Sequence, residues 1–428
     1  MGGKMLLRTA DYALFSALLA VLAILIYSSA AANLQNDSID YYSIVQRLAE
    51  PDARPIVSNL HFTAQRFPGY GIAALVPYYA ATFLIEPFVR EEQITDIGQG
   101  FQSAIPSRPF PVKELFFKNI FLPQSGAVLE WKILFALLFT SYALLFAGIF
   151  LISKTLLLEK RLAAGFSLIT LTIFTSPVFV QNIVSTPMYA TLAAFGFSAL
   201  FSYFFVKSFT GKNAKNEFLA GLALGFLALA RFEGFVFFGV SAVFLKFFGE
   251  NGGFLKNLSS GFVLAAAVFP AYNLLMFGNP LHFGFLANDI NTFQLDLGYA
   301  FRALFHPDSG IIFFSPLIAA GIIGLMLSRQ KRHLRILGFC SLALVFLMLF
   351  RVPAMYDCAG TEALEIGGIN VGCPATEAEK SMLVRSDANR YVAVLAPFSV
   401  LGLVELAYFS AKILEKRKSA KNISKNSN

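Results

Sequence analysis

The feature that most limits what this chain can fold into is a series of long, nearly uncharged apolar stretches. The first covers residues 12–32 (YALFSALLAVLAILIYSSAAA). About 20 consecutive apolar residues are what an α-helix needs to cross the hydrocarbon core of a bilayer. Further stretches lie near 129–152, 162–180, 184–206, 217–230, 234–248, 258–277, 310–327, 334–352 and 390–411, which makes about ten crossings. The pair at 217–248 is short, and Arg231 and Glu233 mark its turn. Charged residues are 14% of the chain and apolar residues 56%, whereas an ordinary soluble domain is about a quarter charged. A soluble enzyme, a disordered chain and a fibrous repeat are therefore excluded. The expected class is an all-α integral membrane protein, with one polytopic domain over residues 1–411 and a basic tail over 412–428.

The net charge of +8 could point to nucleic acid, but its distribution points to membrane orientation instead. With both termini cytoplasmic, the inner segments hold Lys4, Arg8, Lys154, Lys160, Arg161, Lys207, Lys212, Lys215, Lys246 and Lys256. Arg329, Lys331, Arg332, Arg335 and the tail join them. Short cytoplasmic loops rich in Lys and Arg are what the positive-inside rule requires. Lys4 and Arg8 precede the first stretch, which reads as a signal anchor because its apolar run is longer than that of a cleaved signal peptide. The inner loops are too short for a βαβ nucleotide-binding unit, and no P-loop sequence is present. The larger segments, 33–128, 278–309 and 353–389, all fall on the outer side. The chemistry is expected there, on the extracytoplasmic face of a plasma membrane and without nucleic acid as a partner. Cys340 lies inside a span, where it would pack. Cys358 and Cys373 share an outer loop, and a disulfide or two thiols are both open to them.

In the first outer loop, Asp37 and Asp40 follow directly on the first span. The spacing predicts a helix from Ser38 to Glu50, capped by Asp37 or Ser38, with Tyr41, Ile44, Val45 and Leu48 as its apolar stripe. Either aspartate alone is explained equally well by capping. Two acids, two tyrosines and a later Arg66-Phe-Pro-Gly-Tyr70 turn make a catalytic surface the sharper reading. Residues 72–88 contain Pro77 and end at Pro87. They are expected to form a kinked helix lying in the membrane interface, because a crossing here would turn the basic loops outward. Residues 89–128 look like an insertion whose stretch 112–122 could rest on the membrane surface, shaping acceptor choice or simply padding the loop.

These residues resemble the GT-C glycosyltransferases, polytopic enzymes such as protein O-mannosyltransferases and lipid A aminoarabinose transferases. Asp37-x-x-x-Tyr41 and Arg66-Phe-Pro-Gly-Tyr70 are similar to that family's first outer loop. Four more segments follow in order: Ala230-Arg231-Phe-Glu-Gly234, Phe277-Gly-Asn-Pro280, Gly310-Ile-Ile-Phe-Phe-Ser-Pro316 and Asn389-Arg390-Tyr391. The resemblance implies transfer of a sugar from a polyprenyl-phosphate donor to a glycan, lipid or protein acceptor. Asp37 is the expected general base, with Asp40 one helical turn away as the fallback. Arg66, Arg390 and Arg231 are the expected phosphate ligands, since a guanidinium fork can hold two oxygens. Tyr41, Tyr70 and Glu233 are expected to position substrate. A phosphate leaves without protonation, so no second carboxylic acid is needed, in contrast to a glycosidase. No metal is required, although Asp37 and Asp40 could share a divalent ion.

The sequence departs from the family at Ser185-Thr-Pro-Met-Tyr189, where many members carry an acid, so no role is carried over there. Two rivals remain. A transporter or flippase of lipid-linked saccharides would show internal repeats and mid-membrane charges. A polysaccharide polymerase or ligase would place its chemistry in the loop near 353–389.

Overall fold

The computed structural model describes residues 31–34, 36–51, 67–97, 109–122, 127–158, 172, 176–211, 213–250, 252–281, 291–293, 296–307, 310–328, 331–353, 363–366, 369–372 and 392–415. The first apolar stretch up to residue 30, most of 162–180, Arg66, Arg390, Cys358 and Cys373 lie outside them. In chain order the helices begin with α1 (Asn36–Ala49), α2 (Gly69–Ala80), α3 (Trp131–Leu158), α4 (Pro177–Val184) and α5 (Ala190–Gly211). Next come α6 (Ala214–Ala230), α7 (Glu233–Phe247), α8 (Gly252–Ala266), α9 (Val268–Phe277) and α10 (Leu297–Phe305). The series closes with α11 (Ile311–Phe314), α12 (Pro316–Leu327), α13 (Arg332–Phe350) and α14 (Val392–Glu415).

Among the described residues, six helices are long and apolar enough to cross a membrane: Gly69–Phe88, Trp131–Leu158, Ala190–Gly211, Gly252–Phe277, Arg332–Leu349 and Val392–Glu415. The stretch near 310–327 is shorter than expected as one helix, because Ser315-Pro316 breaks it into α11 and α12. Helix α6 opens with the Asn213 side chain accepting from Lys215 N at 2.9 Å, which satisfies one of the unpaired amides of a helix start. Its glycines face α8, and a Cβ on Gly221 would collide with the Leu258 carbonyl oxygen. Gly221-x-x-x-Gly225 is thus a close internal helix contact. Some of the abundant phenylalanine forms the core, where Phe201 and Phe237 meet Phe398 at 6.1 and 5.0 Å between ring centroids. Phe83, Phe247 and Phe313 point outward instead. Cys340 is buried in α13 beside Ser241 and Phe237.

The two ends of the bundle differ. At one end Lys331 pairs with Glu405 at 2.7 Å, Arg332 reaches Glu250 at 3.5 Å, and His333 lies beside Phe209. The basic residues around 331–335 collect there. At the other end lie α1, the start of α3 and the α6–α7 turn, covered by short strands. Strand β1 (Ala31–Asn33) pairs with a strand from the 89–128 segment, β3 (Pro109–Pro111). Between these in sequence is β2 (Thr95–Ile97), which runs parallel to β4 (Lys118–Leu122); β4 pairs antiparallel with β5 (Ala127–Leu129). The ladder β6 (Asn291–Phe293) to β7 (Arg351–Pro353) ties two interhelical segments together, and β8 (Ala363–Ile366) with β9 (Ile369–Gly372) forms a hairpin.

These strands correct the all-α expectation. The molecule is mostly helical, but short segments between the helices pair with one another as strands among the described residues. The stretch 112–122 packs one side against the protein and leaves Phe116 exposed. Val112, Leu115 and, within β4, Ile120 are buried, and Phe117 packs on Trp131 at 5.0 Å.

Helix α2 shows no break at Pro77; it widens into a π turn at Ala81–Ile85 and runs on to Phe88. Near its start the Tyr70 hydroxyl donates to Leu137 O of α3 at 2.7 Å, and near its end Glu86 pairs with Lys132 at 3.0 Å. Tyr70 also meets Ser141, and Lys132 lies over the Tyr78 ring, so α2 runs antiparallel along the first turns of α3.

Candidate active site

Helix α1 builds the site. Asp37 sits in its first turn, where a carboxylate complements the helix dipole. Tyr41, Ile44 and Val45 form the buried apolar stripe. Helix α2 docks on that stripe through Gly71, whose absent side chain leaves room for Ile44. The Tyr41 ring meets Tyr70 edge-on, with centroids 4.8 Å apart. The Tyr70 hydroxyl is engaged with Leu137 O and with Ser141 Oγ, each at 2.7 Å. Tyr70 therefore braces Tyr41 and fixes α2 to α3.

Pro68 and Gly69 bring the chain against the end of α6. A Cβ on Gly69 would lie 2.5 Å from the Leu229 carbonyl carbon, so the backbones touch there. One turn further, Arg231 donates to a single oxygen of Glu233 from Nε at 2.8 Å and from Nη2 at 2.7 Å. Glu233 is fully buried (0% exposed) and Arg231 nearly so (13%). The other Glu233 oxygen has no hydrogen-bond partner. Helix α9 closes the group: Phe67 stacks on Phe269 at 5.8 Å, and Tyr272 lies within electrostatic reach of Asp40 and Arg47.

The structure brings Tyr41 against Tyr70 and pairs Arg231 with Glu233, and the start of α2 lies between α1, which carries Asp37 and Asp40, and the end of α6. Arg66 and Arg390 lie outside the described residues. The two aspartates share one helical face, but Asp40 is buried at 2% exposure while Asp37 is half-buried. Among the described residues no three His, Cys, Asp or Glu side chains converge on a point. Sequence reading passed over Ser43, Gln46 and Arg47 on α1 and Tyr272 on α9. The available signals were the i, i+3, i+4 spacing of the first three and a Tyr-Asn pair inside an apolar span.

A second polar cluster supports α1 from behind. Tyr42 accepts from Glu130 N at 2.8 Å, and Tyr78 donates to Glu50. Burial raises the Tyr42 hydroxyl above its ordinary value. Burial and the nearby Glu50 raise the Glu130 carboxyl, against the opposing pull of Lys132.

No family model matches the sequence, and no curated protein matches it either. The structure is similar to the crystal structure of ArnT from Cupriavidus metallidurans in the apo state, with a TM-score of 0.50 and 14% identity. The match covers 92% of this chain and 60% of that one, so this chain spans well under two thirds of ArnT's length. The resemblance read from the sequence holds at the level of fold: this is a multi-pass membrane protein with the fold of ArnT, a GT-C aminoarabinose transferase.

Proposed function

We propose that this protein is a membrane glycosyltransferase that moves a sugar from a polyprenyl-phosphate donor to an acceptor hydroxyl. The observation that carries the reading is that, on an ArnT-like fold, the start of α2 packs both on the acidic helix α1 and against the end of α6 beside the Arg231–Glu233 pair. Asp37, the more open of the two aspartates, accepts the proton of the acceptor hydroxyl as its oxygen attacks the anomeric carbon. The bond from that carbon to the phosphate oxygen breaks, and its electron pair leaves on the phosphate. The sugar passes through an oxocarbenium-like state. Arg231 meets the departing charge, held in register by Glu233, with Arg66 and Arg390 as further ligands. Tyr41, braced by Tyr70, positions substrate. The site end of the bundle faces the extracytoplasmic side of a plasma membrane, because the basic residues gather at the opposite end.

The test compares wild type with Asp37→Asn, using purified protein and the polyprenyl-phosphate sugar that wild type consumes. A positioned general base contributes about 10²–10⁴ in rate. Turnover by the variant is expected to fall by that factor with donor affinity kept. Wild-type turnover by Asp37→Asn, together with loss in Asp40→Asn, would move the role to Asp40. Unchanged turnover in both would remove α1 from the chemistry.

A further inference from the structure

Helix α10 carries two apolar stripes on opposite sides. Tyr299 and Ala303, at i and i+4, are each buried at 1% exposure. Leu297, Phe301 and Phe305, at i, i+4 and i+8, are 75%, 60% and 46% exposed. With 3.6 residues per turn the two stripes stand about 180° apart around the helix. Packing explains the buried one, since α10 touches α11 and α13. The exposed one is left without a neighbour to explain it: the Phe301 and Phe305 rings meet at 5.6 Å, and no charged side chain interrupts the row. A contiguous apolar face turned outward marks a surface that something covers.

Position selects the cover. Strand β7 begins directly after α13 ends at Phe350, and β6, just ahead of α10, pairs with it. After α10, Gly310 packs on the backbone of Leu304 and His306, and Ser315-Pro316 opens the apolar helix α12. Helix α12 packs on α13 and is joined to its start by residues 328–331, so α12 begins where α13 finishes. Both ends of α10 are therefore tied to the end of the bundle opposite Lys331 and Arg332. Its nine residues cover about 13 Å, less than half of a hydrocarbon core of about 30 Å, so α10 does not cross. The helices it touches also turn large apolar side chains outward, Phe313 on α11 and Phe346 near the end of α13. We propose that α10 is an interfacial helix, with Leu297, Phe301 and Phe305 inserted in the bilayer leaflet at that end. The stripe offers hydrocarbon and aromatic surface with no donor or acceptor, and lipid is the partner that the adjoining spans already require. The inference needs only the membrane setting and stands apart from the transferase reading.

The test reads depth in the membrane. Leu297→Trp, Phe301→Trp and Phe305→Trp are made one at a time in the full-length protein. Each is reconstituted in phosphatidylcholine bilayers whose acyl chains carry bromine at a shallow or a deep position. The chain's single native tryptophan, Trp131, is buried, and wild-type protein supplies its baseline. All three positions are exposed, so an indole there displaces no packed neighbour. Each variant is expected to lose more fluorescence to bromine than wild type does, most with the shallow label. That pattern places the three indoles at similar depths, about 5–10 Å into the boundary between headgroups and acyl chains. Acrylamide in the water should quench them no more than wild type. Three results overturn the inference. Quenching by acrylamide and not by bromine would leave the stripe open to water for a soluble partner. Quenching by neither would mean that a second copy or another segment of this chain covers it. Strongest quenching by the deep label, with positions 297 and 305 at different depths, would show α10 dipping into the hydrocarbon core.

Discussion

Arg231 and Glu233 form the most enclosed ion pair near the site, and its energetics separate structure from function. Taking two charges out of water costs several kcal/mol each, and their mutual attraction returns this only while both are present. Either single truncation, Arg231→Ala or Glu233→Ala, is expected to lower stability by about 3–5 kcal/mol, read from detergent-phase unfolding. Replacing both with apolar residues, Arg231→Met with Glu233→Leu, should recover most of that loss while leaving transfer abolished. Recovery of activity in the double variant would show that the pair serves folding alone. Glu130 gives a pH signature of different origin. Its carboxyl is raised in the folded protein by burial and by Glu50, so the folded state holds that proton more tightly than the unfolded chain does. The resulting stability is complete below the ordinary carboxylate value and is lost as pH rises through the raised one. Unfolding temperatures across pH 4–8 should therefore fall less steeply for Glu130→Gln than for wild type, and parallel profiles would contradict the assignment. The catalytic candidates on α1 were legible in the sequence because Asp37, Asp40 and Tyr41 follow a short-range helical period. Arg47 and Tyr272 were not, because tertiary packing alone decides that such polar groups are buried.

At the scale of elements, the site depends on two helix entries held at backbone contact. Gly69 allows the start of α2 to touch Leu229 and Ala230 at the end of α6. A methyl group there meets backbone atoms, which cannot swing aside as a flexible side chain can. Gly69→Ala is expected to cost about 1–3 kcal/mol, the usual range for overpacking. It should also lower turnover more than Tyr70→Phe, which leaves the spacing intact and gives up only a hydroxyl shared with Leu137 and Ser141. Equal turnover losses would mean that the contact does not set the site's geometry. The transmembrane helices α3, α5, α8–α9, α13 and α14 follow directly from apolar length, and the short pair α6–α7 from its charged turn. The short strands could not be read this way. Each is only three to five residues long, and β1 finds β3 across the whole of α1 and α2. Pairing of that kind carries no local periodic signal.

At the scale of the whole molecule, the charge asymmetry and the site belong to one arrangement. Basic side chains and their partners Glu250 and Glu405 hold one end of the bundle, while α1, the α6–α7 turn and the β cap crowd the other. A lipid-borne donor with an extracytoplasmic acceptor calls for that polarity, with the reacting groups at the membrane surface and the orientation signal at the far end. The most direct test incubates purified full-length protein with a panel of radiolabelled polyprenyl-phosphate sugars and added membrane extract as acceptor. Donor consumption is followed together with the release of free polyprenyl phosphate. The account predicts that at least one donor is consumed, with its label appearing on an acceptor and one carrier phosphate freed for each sugar moved. Intact donors across the panel, with label merely carried from one side of a vesicle to the other in reconstituted protein, would contradict it and identify a transporter.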